Sequence, residues 1–199
     1  MTLGAPVGQS AIGCSDGSNK YTMTDPLALW KHFPVLYHFD NSVPKTLQYG
    51  IIVAFNQYNT ITEYEFYKQT LDPSLAKINV TMGNIDGTGN TIAWAHYNST
   101  VNIHEIANAV IKFDSSEKWD ILTHGQCVKH GDVQDIISTA VHEIGHLSGL
   151  SHSDGDKQTM FYKNAPGQTL RRTLGNGDIE GFKMAYRPSG ASSYLSQQK

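Results

Sequence analysis

Residues 142–152 read HEIGHLSGLSH, and their spacing decides how the rest of the chain is read. If His142 to His146 is helical, the two imidazoles stand four positions apart and emerge one above the other on one face. That is the geometry of two ligands sharing one metal ion. Glu143, one step further around the helix, reaches the outer coordination sphere without itself being a ligand. Gly149 lets the chain turn sharply enough to return His152 as a third nitrogen. Three protein ligands leave one position open, and imidazoles in a tetrahedral set with an open site favour Zn²⁺. A lone histidine is usually a solvated or core residue, but five fixed residues in H-E-x-x-H-x-x-G-x-x-H outweigh that reading. Zinc held this way lowers the pKa of its water to about 7. Glu143 is placed to take the proton as that water attacks a carbonyl and to deliver it to the departing amine. The reaction class is metal-assisted hydrolysis of an amide bond.

Outward from this stretch, Val133, Ile136, Ile137, Ala140, Val141, Ile144 and Leu147 recur at helical spacing, with Asp132 as the expected N-cap. Upstream, residues 35–39 (VLYHF) read as a strand, and Leu47, Ile51, Ala54, Phe55 and Tyr58 predict an amphipathic helix ending near Asn59. Strands are expected at residues 64–68, 76–82, 91–97 and 109–114, which are rich in β-branched and aromatic side chains. A last helix is expected from about Asn176 to Tyr186. A strand, a helix, several strands and two helices give an α/β or α+β sheet with helices packed against it.

The 199 residues, 39% of them apolar, bury one substantial core, so a single domain with short extensions is expected. A net charge of −3 supplies no basic field for nucleic acid or an anionic membrane. The longest apolar run, GIIVAF at 50–55, is far too short to span a bilayer, and the first twenty residues lack the pattern of a signal peptide. Either the protein stays in the cytosol, or a targeting segment has been trimmed from ahead of Met1. Two cysteines, Cys14 and Cys127, are compatible with one disulfide without demanding it.

The pattern resembles the metzincin metallopeptidases and, within them, the matrixins. Ser153 follows the third histidine, as in matrixins, and Met160 falls eight positions after His152, the matrixin distance to the methionine beneath the zinc. LGNGDIEGFKMAY at 174–186 is similar to the family pattern L-x-x-D-D-I-x-G-I-x-x-x-Y, with Gly177 in place of the first Asp. DGTGN at 86–90 and FDSSEKW at 113–119 resemble the calcium loop and the F-D-x-x-E-x-W segment. The resemblance implies a zincin-like α/β fold: a twisted, mostly parallel five-stranded sheet, three helices, and a cleft between a larger N-terminal and a smaller C-terminal subdomain. It implies an N-terminal extension over 1–28, a catalytic domain over 29–187 and a C-terminal tail over 188–199. It also implies a secreted, monomeric zinc endopeptidase acting on protein or peptide substrates.

The family's calcium site maps onto the carboxylates of Asp86, Asp114 and Glu117 with carbonyls of Gly87, Gly89 and Thr91. A Gly-rich turn with surface acids is the plainer reading of the same residues. The second, structural zinc of the family loses its ligands here: Trp94 and Lys112 stand where two histidines would, so one zinc is expected. His96, on a strand face shared with Trp94, could stray near the cleft, and His104, His124 and His130 are read as surface or core residues. The resemblance makes strand 91–97 the upper rim that pairs with extended substrate. It places a side-chain pocket around Ser138, Val141 and the segment after Met160, with an apolar substrate residue expected there. Tyr162 stands two residues after Met160, where some metzincins place a zinc-contacting tyrosine, and is read either as an oxyanion donor or as pocket packing. Cys14 either pairs with Cys127 or caps the zinc in a latent form, although its flanks lack the proenzyme motif. A latent precursor and a non-catalytic peptide-binding module that keeps the zinc are the alternatives to an active enzyme.

Overall fold

The structure, a computed structural model, describes residues 18–100, 104–122 and 131–186. Both cysteines, His124 and His130 lie outside the described residues. Strand β1 (Val35–Phe39) buries Val35, Tyr37 and Phe39, the period of two expected where one face of a strand meets a core. Pro44 precedes helix α1 (Lys45–Asn59), which turns Leu47, Ile51, Ala54, Phe55 and Tyr58 inward. Strands β2 (Tyr67–Gln69), β3 (Ile78–Gly83), β4 (Ala93–Thr100) and β5 (Glu105–Asp114) complete a five-stranded sheet in the order β2-β1-β3-β5-β4. All pairs are parallel except β4 with β5, which makes β4 an antiparallel edge.

A two-stranded parallel pair, β6 (Trp119–Asp120) with β7 (Gln134–Asp135), leads directly into helix α2 (Ile136–Leu147). Helix α3 (Asn176–Tyr186) closes the described chain with the bounds its sequence predicts. Side chains from β1, β3, β5, α1 and α2 share one buried cluster with Phe182 of α3. Ile136, Ile137, Val141, Ile144 and Leu147 of α2 are all buried, each worth about 1.5–3 kcal/mol. Their sum exceeds the roughly 1 kcal/mol of an N-cap, so the core fixes where α2 sits and hence where its histidines point. The two main helices approach closely: a Cβ on Gly50 would meet Ile136 Cγ2 at 2.7 Å.

Several boundaries differ from the sequence expectation. Asp135, not Asp132, caps α2: its carboxylate accepts from Ser138 N at 2.9 Å and from the Ser138 hydroxyl at 2.7 Å. The reason is the β6–β7 pairing, which keeps residues 134–135 extended and delays the first helical turn. Asp132 is exposed and pairs instead with Lys118 at 2.5 Å. The expected strand at 64–68 shortens to Tyr67–Gln69, because Asn59 at the end of α1 bonds both Tyr67 N and Tyr67 O and sets where pairing begins. The rim strand starts two residues later than expected and runs on to Thr100, with a register shift between Asn98 and Ser99. Strand β5 begins at Glu105, four residues before the expected start.

Residues 22–30 run back along the end of α2. Ser151 N donates to Thr22 O at 2.8 Å, Thr24 N to Gly149 O at 3.0 Å, and Trp30 Nε1 to Leu147 O at 2.8 Å. Gly149 has φ +89°, and a Cβ there would meet Leu29 Cδ2 at 2.9 Å. A side chain at 149 would therefore both strain the turn and displace the leucines packed on it.

Candidate active site

One helix and the turn behind it bring the three histidines together. His142 and His146 stand one turn apart on α2 with ring centroids 4.7 Å apart, and the His152 ring lies 5.2 and 4.8 Å from them. One ligand atom from each ring lies within 4.8 Å of the others. His142 Nδ1 is 2.8 Å from Thr159 O and His146 Nδ1 is 2.9 Å from Leu150 O. A carbonyl only accepts, so each Nδ1 carries the proton and each Nε2 keeps a lone pair. The two Nε2 atoms face each other at 3.1 Å. Two lone pairs at that distance repel unless a cation lies between them, which is the condition a zinc ion meets. Burial, reinforced by the neighbouring rings, pushes His142 down to about 3, and burial pushes His146 down to about 4. Both rings are thus neutral and able to bind a metal near pH 7. His152 is the exposed member of the set, also held below its ordinary value by partial burial. The donor set therefore fits zinc.

Glu143 is 6% exposed. Burial lifts its carboxyl to about 8, and a hydrogen bond from the backbone of Ala95 on β4 acts in the opposite direction. Beneath the helix lies Met160, 2% exposed, where a Cβ on Gly145 would collide with its sulfur. Ser153 N donates to Met160 O at 2.8 Å and ties the third histidine's turn to that methionine.

Three supports were not among the expected site residues. Thr159 and Leu150 act through main-chain carbonyls, which no residue type encodes. Asp178 of α3 accepts from Thr159 N at 3.2 Å and from Gly175 N at 2.9 Å, and also from the backbone N–H of Met160, so it holds the Thr159–Met160 peptide whose carbonyl orients His142. Its place in the second Asp of the family pattern was the available signal. Asp135 also receives Arg172, through Nε at 2.8 Å and Nη2 at 2.5 Å, and this buried pair joins the start of α2 to the segment before α3.

A cavity of about 650 Å³ opens beside the histidines, between residues 90–95 at the β4 edge and the wall formed by α2 and residues 159–164. Ser138 lines it as the resemblance implies, joined by Thr139, which was not expected there, whereas Val141 is fully buried in the core. Trp94 lines the cavity; His96 is exposed and does not. Tyr162 is 55% exposed at the rim, its ring centroid 6.4 Å from that of His152.

The acidic loop is built differently. Gly87 and Gly89 adopt φ +91° and +85°. Asp86 accepts from Thr91 N at 3.1 Å, Glu117 accepts from Gly89 N, and buried Asp114 accepts from Ser116 N at 2.7 Å and Asp86 N at 3.2 Å. Burial alone would raise Asp114, but these backbone donors hold it below the usual carboxylate range. Among the described residues the three histidines are the group of His, Cys, Asp or Glu side chains whose ligand atoms converge; Asp86, Asp114 and Glu117 do not form a second.

A histidine triad fit to hold a metal thus lies on a core helix and the turn behind it, with a buried glutamate beside it and the antiparallel edge of a mixed sheet along the cavity. Residues 29–187 match the matrixin peptidase family model, and the chain belongs to the matrixin family. It is 26% identical over 181 residues to Matrix metalloproteinase-23 of Rattus norvegicus, covering 84% of this chain and 45% of that protein. It is 28% identical to Metalloendoproteinase 1 of Glycine max, over 71% of this chain and 46% of that one. Against Matrix metalloproteinase-25 of Homo sapiens the identity is 32%, over 55% of this chain and 18% of the relative. The chain thus spans less than half the length of these curated relatives.

Proposed function

We propose that the protein is a zinc-dependent endopeptidase that hydrolyses peptide bonds in extended protein or peptide substrates. The observation that carries this is the pair of Nδ1-anchored imidazoles whose Nε2 atoms face each other beside a buried Glu143. His142, His146 and His152 would hold the metal. Zinc bound there supplies Lewis-acid chemistry, acidifying water and polarising a carbonyl.

The chain's own groups do the rest. Glu143 takes the proton of the attacking water as oxygen adds to the carbonyl carbon, and gives that proton to the amine nitrogen as the C–N bond breaks. Burial favours the proton-holding form of Glu143 and a cation beside it favours the ionised form, so the residue is poised for both halves of the transfer. The β4 edge lies over the cavity, where an extended substrate can continue the sheet by main-chain pairing. Tyr162, exposed at the rim, has the freedom to swing toward the developing oxyanion.

The reading includes a structural Ca²⁺ held by the carboxylates of Asp86, Asp114 and Glu117 with carbonyls of Gly87, Gly89 and Thr91. The hydrogen bonds that tie Asp114 and Glu117 to the glycine-turned loop after Asp86 support it, and the backbone bonds those acids already accept weigh against tight binding. A secreted monomer completes the proposal; among the described residues no helix is long and apolar enough to cross a membrane. The decisive experiment is incubation of zinc-loaded protein with a denatured protein substrate, with and without a zinc chelator. Chelator-sensitive cleavage is expected, absent in Glu143→Gln. Metal-loaded protein that cuts nothing would leave only a binding role for the cleft. Unchanged turnover in Tyr162→Phe would remove the oxyanion role of that hydroxyl.

A further inference from the structure

The cavity beside the histidines contains a charge that peptide hydrolysis alone does not require. Arg171 is 7% exposed and lines the cavity. Its guanidinium meets main-chain carbonyls rather than a carboxylate: Nε and Nη2 donate to Asp156 O at 3.2 and 2.8 Å, and Nη1 donates to Lys163 O. The Phe161 ring covers it, 4.8 Å from the guanidinium carbon. These bonds use three of the five N–H groups of an arginine. The neighbouring Arg172 is the arginine that takes the buried carboxylate of Asp135, so Arg171 keeps its positive charge inside the wall with no carboxylate bonded to it. Such burial is costly unless an opposite charge arrives to meet it.

The rest of the lining combines apolar surface from Ile92, Trp94 and Phe161 with hydroxyl and amide groups that bond within the wall. The Ser138 hydroxyl is engaged by Asp135, and the Asn164 amide donates to the Thr139 hydroxyl at 3.2 Å. Lys163, exposed at the rim with its ammonium 5.2 Å from the Tyr162 ring centre, adds a second positive charge. Glu143 is the one carboxylate among the lining residues, and it lies on the helix between the metal ligands. Asp156 offers Arg171 its carbonyl, and its carboxylate acts on the guanidinium through space, but that carboxylate is exposed, makes no bond to Arg171 and does not line the cavity, so it leaves the cavity side of the charge unanswered.

We propose that this pocket selects an acidic side chain, Asp or Glu, on the substrate residue next to the cut bond, with Arg171 recognising its carboxylate and Lys163 assisting from the rim. The inference rests on the peptidase reading and replaces the apolar preference that the family resemblance implies. Three peptides identical except for Glu, Gln or Leu at that position, given to the zinc-loaded wild-type protein, test it without any variant. The Glu peptide should be cut with at least a roughly ten-fold higher kcat/KM than either other, mostly through KM, with the advantage shrinking in molar salt as charge recognition requires. Arg171→Gln should lower the Glu-to-Leu ratio about ten-fold or more, Arg171→Lys should keep part of it, and Lys163→Ala should lower it only a few-fold. A wild-type preference for Leu, equal use of Glu and Gln, or a ratio unmoved by Arg171→Gln would overturn the inference and leave the peptidase intact. No cleavage of any peptide would instead remove the peptidase reading and this one with it. If Arg171→Gln fails to fold, the Glu against Gln comparison on wild-type protein decides alone.

Discussion

The histidine site and the acidic loop both read from sequence as metal sites, yet their ligand atoms face different surroundings. Each Nδ1 on α2 is tied to a carbonyl, which leaves both Nε2 lone pairs turned toward each other rather than toward a protein N–H or O–H. In the loop, every carboxylate already accepts a backbone N–H. Metal readiness is therefore visible as lone pairs left unanswered. A set of acids satisfied by its own backbone must give up those bonds before it can coordinate a cation, which weakens binding.

The largest effect expected from this contrast is at Glu143. Glu143→Gln should lower kcat by more than about a hundredfold, within the range of a lost general base, while elemental analysis still finds one zinc per chain. Loss of the metal together with the activity would mean that the glutamate helps hold zinc, and the two roles would merge. Chelating zinc comes next. A ligand held at a thousand times its dissociation constant stabilises by about 4 kcal/mol, so calorimetry should show a large fall in Tm on chelation. Asp178→Ala should cost about 1–3 kcal/mol through the unanswered Thr159 amide. It should also weaken zinc about 10–100-fold by freeing the peptide that orients His142; stability loss with zinc affinity intact would detach α3 from the site.

Calcium should add only about 1 kcal/mol at saturating concentration, measured as a Tm shift that Asp114→Asn removes. A shift as large as that of zinc would break the contrast between the two regions. The smallest effect concerns acid. The Asp114 carboxyl is held below its ordinary 3.8 in the folded protein, so the unfolded chain binds its proton first as pH falls. Its stabilising contribution is complete above that value and is lost as pH drops through the lower folded one. Urea midpoints below about pH 4 should therefore fall less steeply in Asp114→Asn than in wild type.

Much of this was legible because side-chain period and ligand spacing are sequence properties. HEIGHLSGLSH predicts the helix and the three histidines that the fold brings together, with Glu143 beside them, and α3 needed no correction at either end. What escaped has a common physical cause. The acceptors at Thr159 and Leu150 are backbone atoms, the same in every residue type. The start of α2 depends on a strand pair between residues 119–120 and 134–135, which local propensity at Asp132 cannot anticipate. Nothing in the sequence sets Arg171 apart; only the fold places Phe161 over it and bonds it to main-chain carbonyls. The structural state of Cys14 and Cys127 lies outside the described residues.

The docking of residues 22–30 against the end of α2 has a consequence for biosynthesis. Thr24 reaches Gly149 across 125 positions and Trp30 reaches Leu147 across 117, so the turn carrying the third ligand closes through contacts of high sequence separation, which form slowly. A growing chain on the ribosome thus holds residues 22–30 in waiting until more than a hundred further residues have emerged. The turn that carries His152 is therefore completed late, by a segment made long before it.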